Sequence, residues 1–177
     1  MKSSLLLGRI EEECKLVGID AEYTYRRTSV LLKLYRRIRW RLRNRFKELH
    51  TITYESCLGD FETLTYLLNF APEKELDIFQ TMAVDTMKTK VLLHLIDTAI
   101  DHVKEYPENG NLYYSIFDAA YLNQTKMSET EILMKLDLER STYYRRKKEA
   151  TYLLGFILFG TIMPDYLKKI PHTHVTA

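Results

Sequence analysis

The amino-acid sequence predicts an all-α fold, and two features carry this prediction. The 177 residues include only four prolines and six glycines, whereas Leu, Glu, Lys and Arg, which favour helices, are abundant. Apolar residues also recur at steps of three and four along several segments, which is the spacing of one helical face. A hydrophobic content of 46% is enough for a buried core and argues against a disordered chain.

The first half of the chain is predicted as a helical region with one basic, arginine-rich helix. Leu5 to Val17 has the pattern of a short amphipathic helix that ends at Gly18. A longer helix follows, since its apolar residues share one face: Leu31, Leu34, Tyr35, Ile38, Leu42, Phe46 and Leu49. Arg37 to Lys47 also alternates basic and apolar residues, as a strand does, but the length of the segment and the upstream spacing favour a helix.

The middle of the chain is predicted to be helical with two breaks. A helix capped by Asp60 is expected to run through Phe70 and to stop at Pro72. Glu73 to Glu105 is mostly helical in pattern, with an interruption possible around Gln80 to Thr86. Its latter part carries an apolar stripe of Val91, Leu92, Leu95, Ile96, Ala99, Ile100 and Val103.

A helix-turn-helix is predicted near the carboxy terminus. Pro107 to Asn111 signals a turn, and Leu112 to Leu122 a helix. Ser128 with Glu131 forms a capping box that starts a short helix through Lys135. The stretch LDLE then predicts a tight turn anchored by Leu138, and a second helix starts near Glu139 to Ser141. A short helix, a turn of three or four residues and a longer helix are the parts of this DNA-binding motif.

The second helix of the motif divides into a polar and an apolar half. At 100° per residue, Tyr143, Ala150, Leu154 and Ile157 line one face, together with the stem of Lys147. Ser141, Arg145, Lys148 and Tyr152 lie opposite, flanked by Tyr144. The first half is therefore expected to project toward an anion, and the second half to be buried and to hold the helix in place.

Leu92 to Phe159 resembles the region-4-like helix-turn-helix of sigma-70 factors, in the form found in phage late-transcription regulators of the ArpU/RinA type. The resemblance lies in LIDTAIDHV, LYYSIFDAAYL and SETEILMKLDLERSTYYRRKKEA. It implies that STYYRRKKEA is the DNA-recognition helix and that Ala150 is the small residue at its packing contact. The implied DNA contacts are Arg140, Ser141, Thr142, Tyr144, Arg145 and Lys148. Glu139 stands where such families usually have Ser, and the first half of the chain matches no sigma core-promoter domain.

The charges of the chain are unevenly spread. Ten Lys or Arg and no acid lie between Tyr23 and Lys47, whereas acids outnumber bases twelve to four between Glu48 and Glu108. The arginines of the basic helix could contact phosphate, face only water or pair with the acidic stretch. The candidates for phosphate contact are Arg36, Arg37, Arg39, Arg41, Arg43 and Arg45. Trp40 lies off the apolar face, so it either contacts a partner or packs elsewhere.

The sequence offers little support for an enzyme, a metal site or a cofactor. Cys14 and Cys57, the only cysteines, are expected to be small core residues, and His94 and His102 lack a third metal ligand. No phosphate loop, nucleophile elbow or HExxH is present. Neither the amino terminus nor the apolar run Tyr152 to Met163 has the length of a leader or a membrane span, so we expect a cytoplasmic protein.

The expected organisation is a helical region at residues 1–85 and a DNA-binding domain at 86–177. The protein is expected to bind double-stranded DNA in a sequence-specific manner and to regulate transcription. It is also expected to be encoded by a phage or prophage. Contact with RNA polymerase and a homodimer are compatible with the motif. Two alternatives stay open: a phage packaging adaptor resembling a small terminase subunit, and a binder of another anionic surface that uses the arginine-rich helix.

Overall fold

The chain is all-α, as predicted. The computed structural model describes the backbone of residues 5–55 and 73–169 and the side chains of 5–44 and 89–168, and these backbone ranges contain no strand. The helices are α1 (Leu5–Leu16), α2 (Ala21–Glu55), α3 (Glu73–Lys104), α4 (Gly110–Phe117), α5 (Glu129–Leu136), α6 (Arg140–Phe156) and α7 (Met163–Lys169). Asp118–Leu122 continues α4 and Ile157–Ile162 continues α6 as π-helical segments.

Local signals in the sequence set the boundary between the first two helices. Gly18 follows α1 with a φ of 74°, a conformation that glycine adopts without strain. Asp20 then caps α2, because its Oδ1 accepts a hydrogen bond from the backbone N–H of Tyr23 at 2.6 Å. α2 stays helical through Glu55, so the strand alternative for Arg37 to Lys47 is wrong. The helix predicted from Asp60 to Phe70 lies outside the described residues.

Helix α3 is continuous from Glu73 to Lys104, so the interruption considered around Gln80 to Thr86 does not occur. Five members of its predicted apolar stripe are buried: Leu95, Ile96, Ala99, Ile100 and Val103. The turn after α3 is tight. A side chain on Gly110 would place its Cβ 2.5 Å from the carbonyl oxygen of Lys104, so this position requires glycine.

The structure groups the chain into two compact units. One contains Met1–Arg36 and Leu95–Ala177, and the other contains Arg37–His94. The first unit therefore includes α1 and the beginning of α2 as well as the predicted helix-turn-helix, whereas the expected boundary between residues 85 and 86 falls inside the second unit. In the first unit α1 packs against α6 and contributes Leu6, Ile10 and Cys14 to the core.

The last helices form one apolar run. Arg140–Lys168 spans 29 residues and is long and apolar enough to cross a membrane by length and composition alone. The core helix of a soluble protein passes the same test, and Leu153, Leu154 and Leu158 are core residues here. The run is therefore only a weak indication of a membrane span.

Candidate nucleic-acid interface

The short helix α5 begins with the predicted capping box. The hydroxyl oxygen of Ser128 accepts a hydrogen bond from the backbone N–H of Glu131 at 3.3 Å, and Glu131 Oε2 accepts one from the backbone N–H of Ser128 at 2.7 Å. These bonds from Ser128 hold the pKa of the Glu131 carboxyl below its ordinary value. The reciprocal cap fixes the residue at which α5 starts.

A turn of three residues, Asp137 to Glu139, joins α5 to α6. Asp137 ends α5 in the left-handed conformation, with a φ of 51°, and the backbone N–H of Leu138 donates to the carbonyl of Leu133 at 3.2 Å. Glu139 precedes α6 in an extended conformation, but its side chain makes no capping hydrogen bond. The turn has the length that a helix-turn-helix requires.

A small apolar core joins the two motif helices to α4. Its buried members are Ile116, Ala119, Ile132 and Tyr143. Partly buried apolar residues pack around it, namely Leu112, Ala120, Met127, Leu133, Leu136 and Leu138. The turn residue Leu138 is therefore an anchor, as the sequence predicted, and α6 is held in a fixed position against two other helices.

The first half of α6 carries the exposed polar residues. Of the predicted contacts, Arg140, Ser141, Tyr144, Arg145 and Lys148 are exposed and Thr142 is half-buried. Arg145 and Ser141 make no side-chain hydrogen bond or ion pair within the described part of the chain. These groups are therefore available to an external ligand.

Two of the predicted contacts are already engaged by one carboxylate. Nε of Arg140 lies 2.8 Å from Oε1 of Glu129, and the hydroxyl of Tyr144 donates to Oε2 of Glu129 at 2.8 Å. Glu129 is the first residue of α5. Glu129 was not among the residues predicted for the interface, although its place beside the Ser128 cap is a local signal that it lies at the edge of the motif.

The second half of α6 is buried on all sides, because every residue from Glu149 to Gly155 is buried. The placement of Tyr152 on the projecting face is therefore wrong. Its ring stacks on that of Tyr25 with centroids 4.4 Å apart, and its hydroxyl donates to Glu22 of α2. Burial, together with this carboxylate, raises the pKa of Tyr152. The start of α2 therefore covers the face of α6 that carries Tyr152, whereas a helical wheel of α6 alone places this face in solvent.

Helices α2 and α6 approach each other closely at Gly155. A Cβ on this residue would lie 2.9 Å from Oγ1 of Thr28 and 3.4 Å from the carbonyl oxygen of Thr24. Both threonines are buried, and each hydroxyl donates to a backbone carbonyl of its own helix. Small residues on both helices therefore permit the contact, and no buried hydroxyl is left unpaired.

A buried carboxylate on α6 was not predicted from the sequence. Glu149 is only 1% exposed, and it accepts hydrogen bonds from the hydroxyl of Tyr113 at 3.1 Å and from Arg146 at 2.9 Å. Burial and the negative charge of Glu149 raise the pKa of Tyr113 to about 12. A glutamate that follows four cations has the pattern of a solvent-exposed residue, so no local pattern indicates its burial.

The arginines of α2 differ in their surroundings. Arg36 is half-buried and donates to the carbonyls of Asn123 at 2.6 Å and Ala120 at 2.9 Å. Its donors therefore stabilise the end of the π-helical segment after α4, which makes it the weakest of the phosphate candidates. Arg37, Arg39, Arg41 and Arg43 are exposed, as is Trp40, whereas the side chain of Arg45 lies outside the described residues.

Neither a metal site nor a reactive cysteine is found among the described side chains. No group of three or more His, Cys, Asp or Glu there could hold an ion. Cys14 is fully buried, and burial raises the pKa of its thiol, which keeps it in the unreactive protonated form. It is a core residue, as predicted. Cys57 lies outside the part of the chain that the structure describes.

No protein-family model matches this chain, and comparisons with curated proteins and with solved structures gave no significant match.

Proposed function

We propose that this protein binds double-stranded DNA in a sequence-specific manner and regulates transcription, in a phage or prophage context. The observation that carries the proposal is the division of α6. Its exposed first half presents Ser141, Tyr144, Arg145 and Lys148, while its second half is buried. A recognition helix needs this arrangement, because side chains near its amino end enter the major groove while the rest of the helix is fixed to the domain.

The chemistry of the exposed residues supports DNA as the ligand. Arginine can form two hydrogen bonds with guanine, and serine and threonine can bond to bases or phosphate. α5, the three-residue turn and the shared core hold these groups on one rigid element. The resemblance to sigma region 4 adds contact with RNA polymerase to the proposal.

Selection of bound duplexes from a random pool at physiological salt tests this function. We expect enrichment of one short sequence, since the exposed half of α6 carries groups that read base edges. Binding of all duplexes with no enrichment would show that the protein binds DNA without sequence specificity. No retention of duplex at all would refute the proposal.

The packaging-adaptor alternative predicts a different assembly. An adaptor acts as a ring of many subunits, whereas a regulator of this kind acts as a monomer or a dimer. Light scattering of the purified protein, with and without the selected duplex, separates the two. A ring of many subunits that binds duplexes without sequence preference would favour the adaptor.

A further inference from the structure

Glu129 joins two residues of the candidate interface that lie on another helix. Its two carboxylate oxygens contact Nε of Arg140 at 2.8 Å and the hydroxyl of Tyr144 at 2.8 Å. The Arg140 guanidinium also lies 5.9 Å from the centre of the Tyr144 ring. The three side chains therefore form one cluster, which spans the turn between α5 and α6.

This cluster leaves part of Arg140 available. The contact to Glu129 at 2.8 Å uses Nε and one carboxylate oxygen, and the Arg140 side chain is 73% exposed, so its two terminal nitrogens can reach an external ligand. Two such nitrogens are sufficient for a bidentate contact with guanine. Because Glu129 already restricts the side chain, Arg140 loses less conformational entropy when it binds.

The charge of Glu129 lies where it would also act directly on a bound duplex. Its side chain is 38% exposed and lies next to the residues expected to contact DNA. A carboxylate at this place repels phosphate on every duplex and offsets the charge of Arg140, so it weakens binding that depends only on charge. Arg145, by contrast, has no acidic partner among the described side chains.

We propose that Glu129 is a specificity-determining positioning residue: it orients Arg140 and Tyr144 for the correct site, which favours that site alone, while its charge weakens the phosphate binding that is common to all duplexes. The inference rests on the proposed function, because it concerns the same interface. It predicts that Glu129 raises the ratio of the affinity for the selected duplex to the affinity for a scrambled duplex of equal length.

The experiment compares this ratio for the wild type, Glu129→Ala and a control, Glu108→Ala. The control removes the same charge from another exposed ion pair, in which Glu108 lies 2.7 Å from Arg9 of α1. Glu129→Ala should lower the ratio about tenfold, the order of one lost bidentate contact. It should also increase the magnitude of the log-affinity versus log-salt slope on the scrambled duplex by about 0.9, because Arg140 is free to contact phosphate. The control should leave the ratio unchanged.

A double-mutant cycle separates positioning from a general structural role. If Glu129 acts through Arg140, most of the tenfold loss disappears when Glu129→Ala is made in an Arg140→Ala background. Glu129→Gln, which keeps an acceptor oxygen but no charge, should give an intermediate ratio and replaces Glu129→Ala if that variant does not fold. Melting of each variant without DNA shows whether folding has changed.

Two results would overturn the inference while leaving the proposed function intact. One is an unchanged ratio in both Glu129 variants. The other is an equal loss in the wild-type and Arg140→Ala backgrounds. A wild-type protein without any sequence preference would refute the proposed function and this inference together.

Discussion

The buried carboxylate of Glu149 accepts a hydrogen bond from the hydroxyl of Tyr113, 3.1 Å away, and this bond joins α6 to α4. Arg146, one turn earlier on α6, donates to the same carboxylate at 2.9 Å. A charge that is removed from water is tolerated only when it is paired and hydrogen-bonded, and Glu149 meets this condition. The network fixes the rotation of α6, and with it the direction of the exposed residues before it.

Replacement of Glu149 should therefore destabilise the fold strongly. Glu149→Ala leaves the buried hydroxyl of Tyr113 and the guanidinium of Arg146 without their acceptor, so we expect a loss of about 3 kcal/mol in the free energy of unfolding. Urea unfolding followed by circular dichroism measures it. Glu12→Ala, at an exposed position of α1, is the control and should change stability by less than about 0.5 kcal/mol. Equal effects of the two substitutions would contradict the role of Glu149.

The contact between α2 and α6 predicts opposite effects for two Gly→Ala substitutions. Gly155→Ala should destabilise by about 1–3 kcal/mol, because its Cβ would meet Oγ1 of Thr28 at 2.9 Å and the helices must move apart. Gly8→Ala in α1 has no atom within 4 Å of the new Cβ and should stabilise by about 0.5–1 kcal/mol through helix propensity. Thermal unfolding distinguishes the signs. Thr28→Ala in the Gly155→Ala background should recover part of the loss, and no recovery would place the clash elsewhere.

Arg36 should act on stability and not on DNA binding. Arg36→Ala removes two hydrogen bonds to backbone carbonyls, so we expect a loss of about 2 kcal/mol in unfolding free energy and an unchanged salt slope of binding. Exposed Arg43 should behave in the opposite way if it contacts phosphate, with a slope reduced by about 0.9 and normal stability. A reduced slope for Arg36→Ala would restore it as a phosphate contact, and an unchanged slope for Arg43→Ala would remove Arg43 from the interface.

Features of this fold that depend on residues close together in the sequence were predictable. The Ser128 capping box, the end of α1 at Gly18 and the burial of Tyr143, Ala150 and Leu154 each follow from a local pattern or a helical period. The burial of Tyr152 did not follow, because its partner Glu22 is 130 residues away. The burial of Glu149 and the hydrogen bonds of Arg36 to backbone carbonyls could not be predicted for the same reason: a charged residue is expected to be exposed unless its distant partner is known.

The bond between Tyr152 and Glu22 should make stability depend on pH in the acid range. The hydrogen bonds donated by Tyr152 and Arg26 hold the pKa of Glu22 below its ordinary value. A carboxyl whose pKa is lower in the folded state stabilises the fold above its unfolded pKa, about 4.3, and this stability is lost as the pH falls through the folded pKa. The wild type should therefore exceed Tyr152→Phe in stability by a constant amount above about pH 5, and the difference should shrink below about pH 4.

Urea midpoints of both proteins between about pH 7 and 3 measure this difference. Tyr23→Phe, at an exposed tyrosine of α2, is the control and should run parallel to the wild type throughout. A difference between the wild type and Tyr152→Phe that stays constant down to pH 3 would show that Tyr152 does not stabilise the charged form of Glu22.

Arg145 provides the most direct test of base reading by α6. It is exposed and has no partner within the described part of the chain, so its removal should leave the fold intact. Arg145→Ala should cost about 1–3 kcal/mol of binding free energy at the selected site and relax the preference at one base position, as a lost bidentate contact does. Arg9→Ala removes the same charge from α1 and should weaken all duplexes slightly and equally. A uniform loss for Arg145→Ala, with every base preference retained, would make Arg145 a phosphate contact and move base reading to other residues of α6.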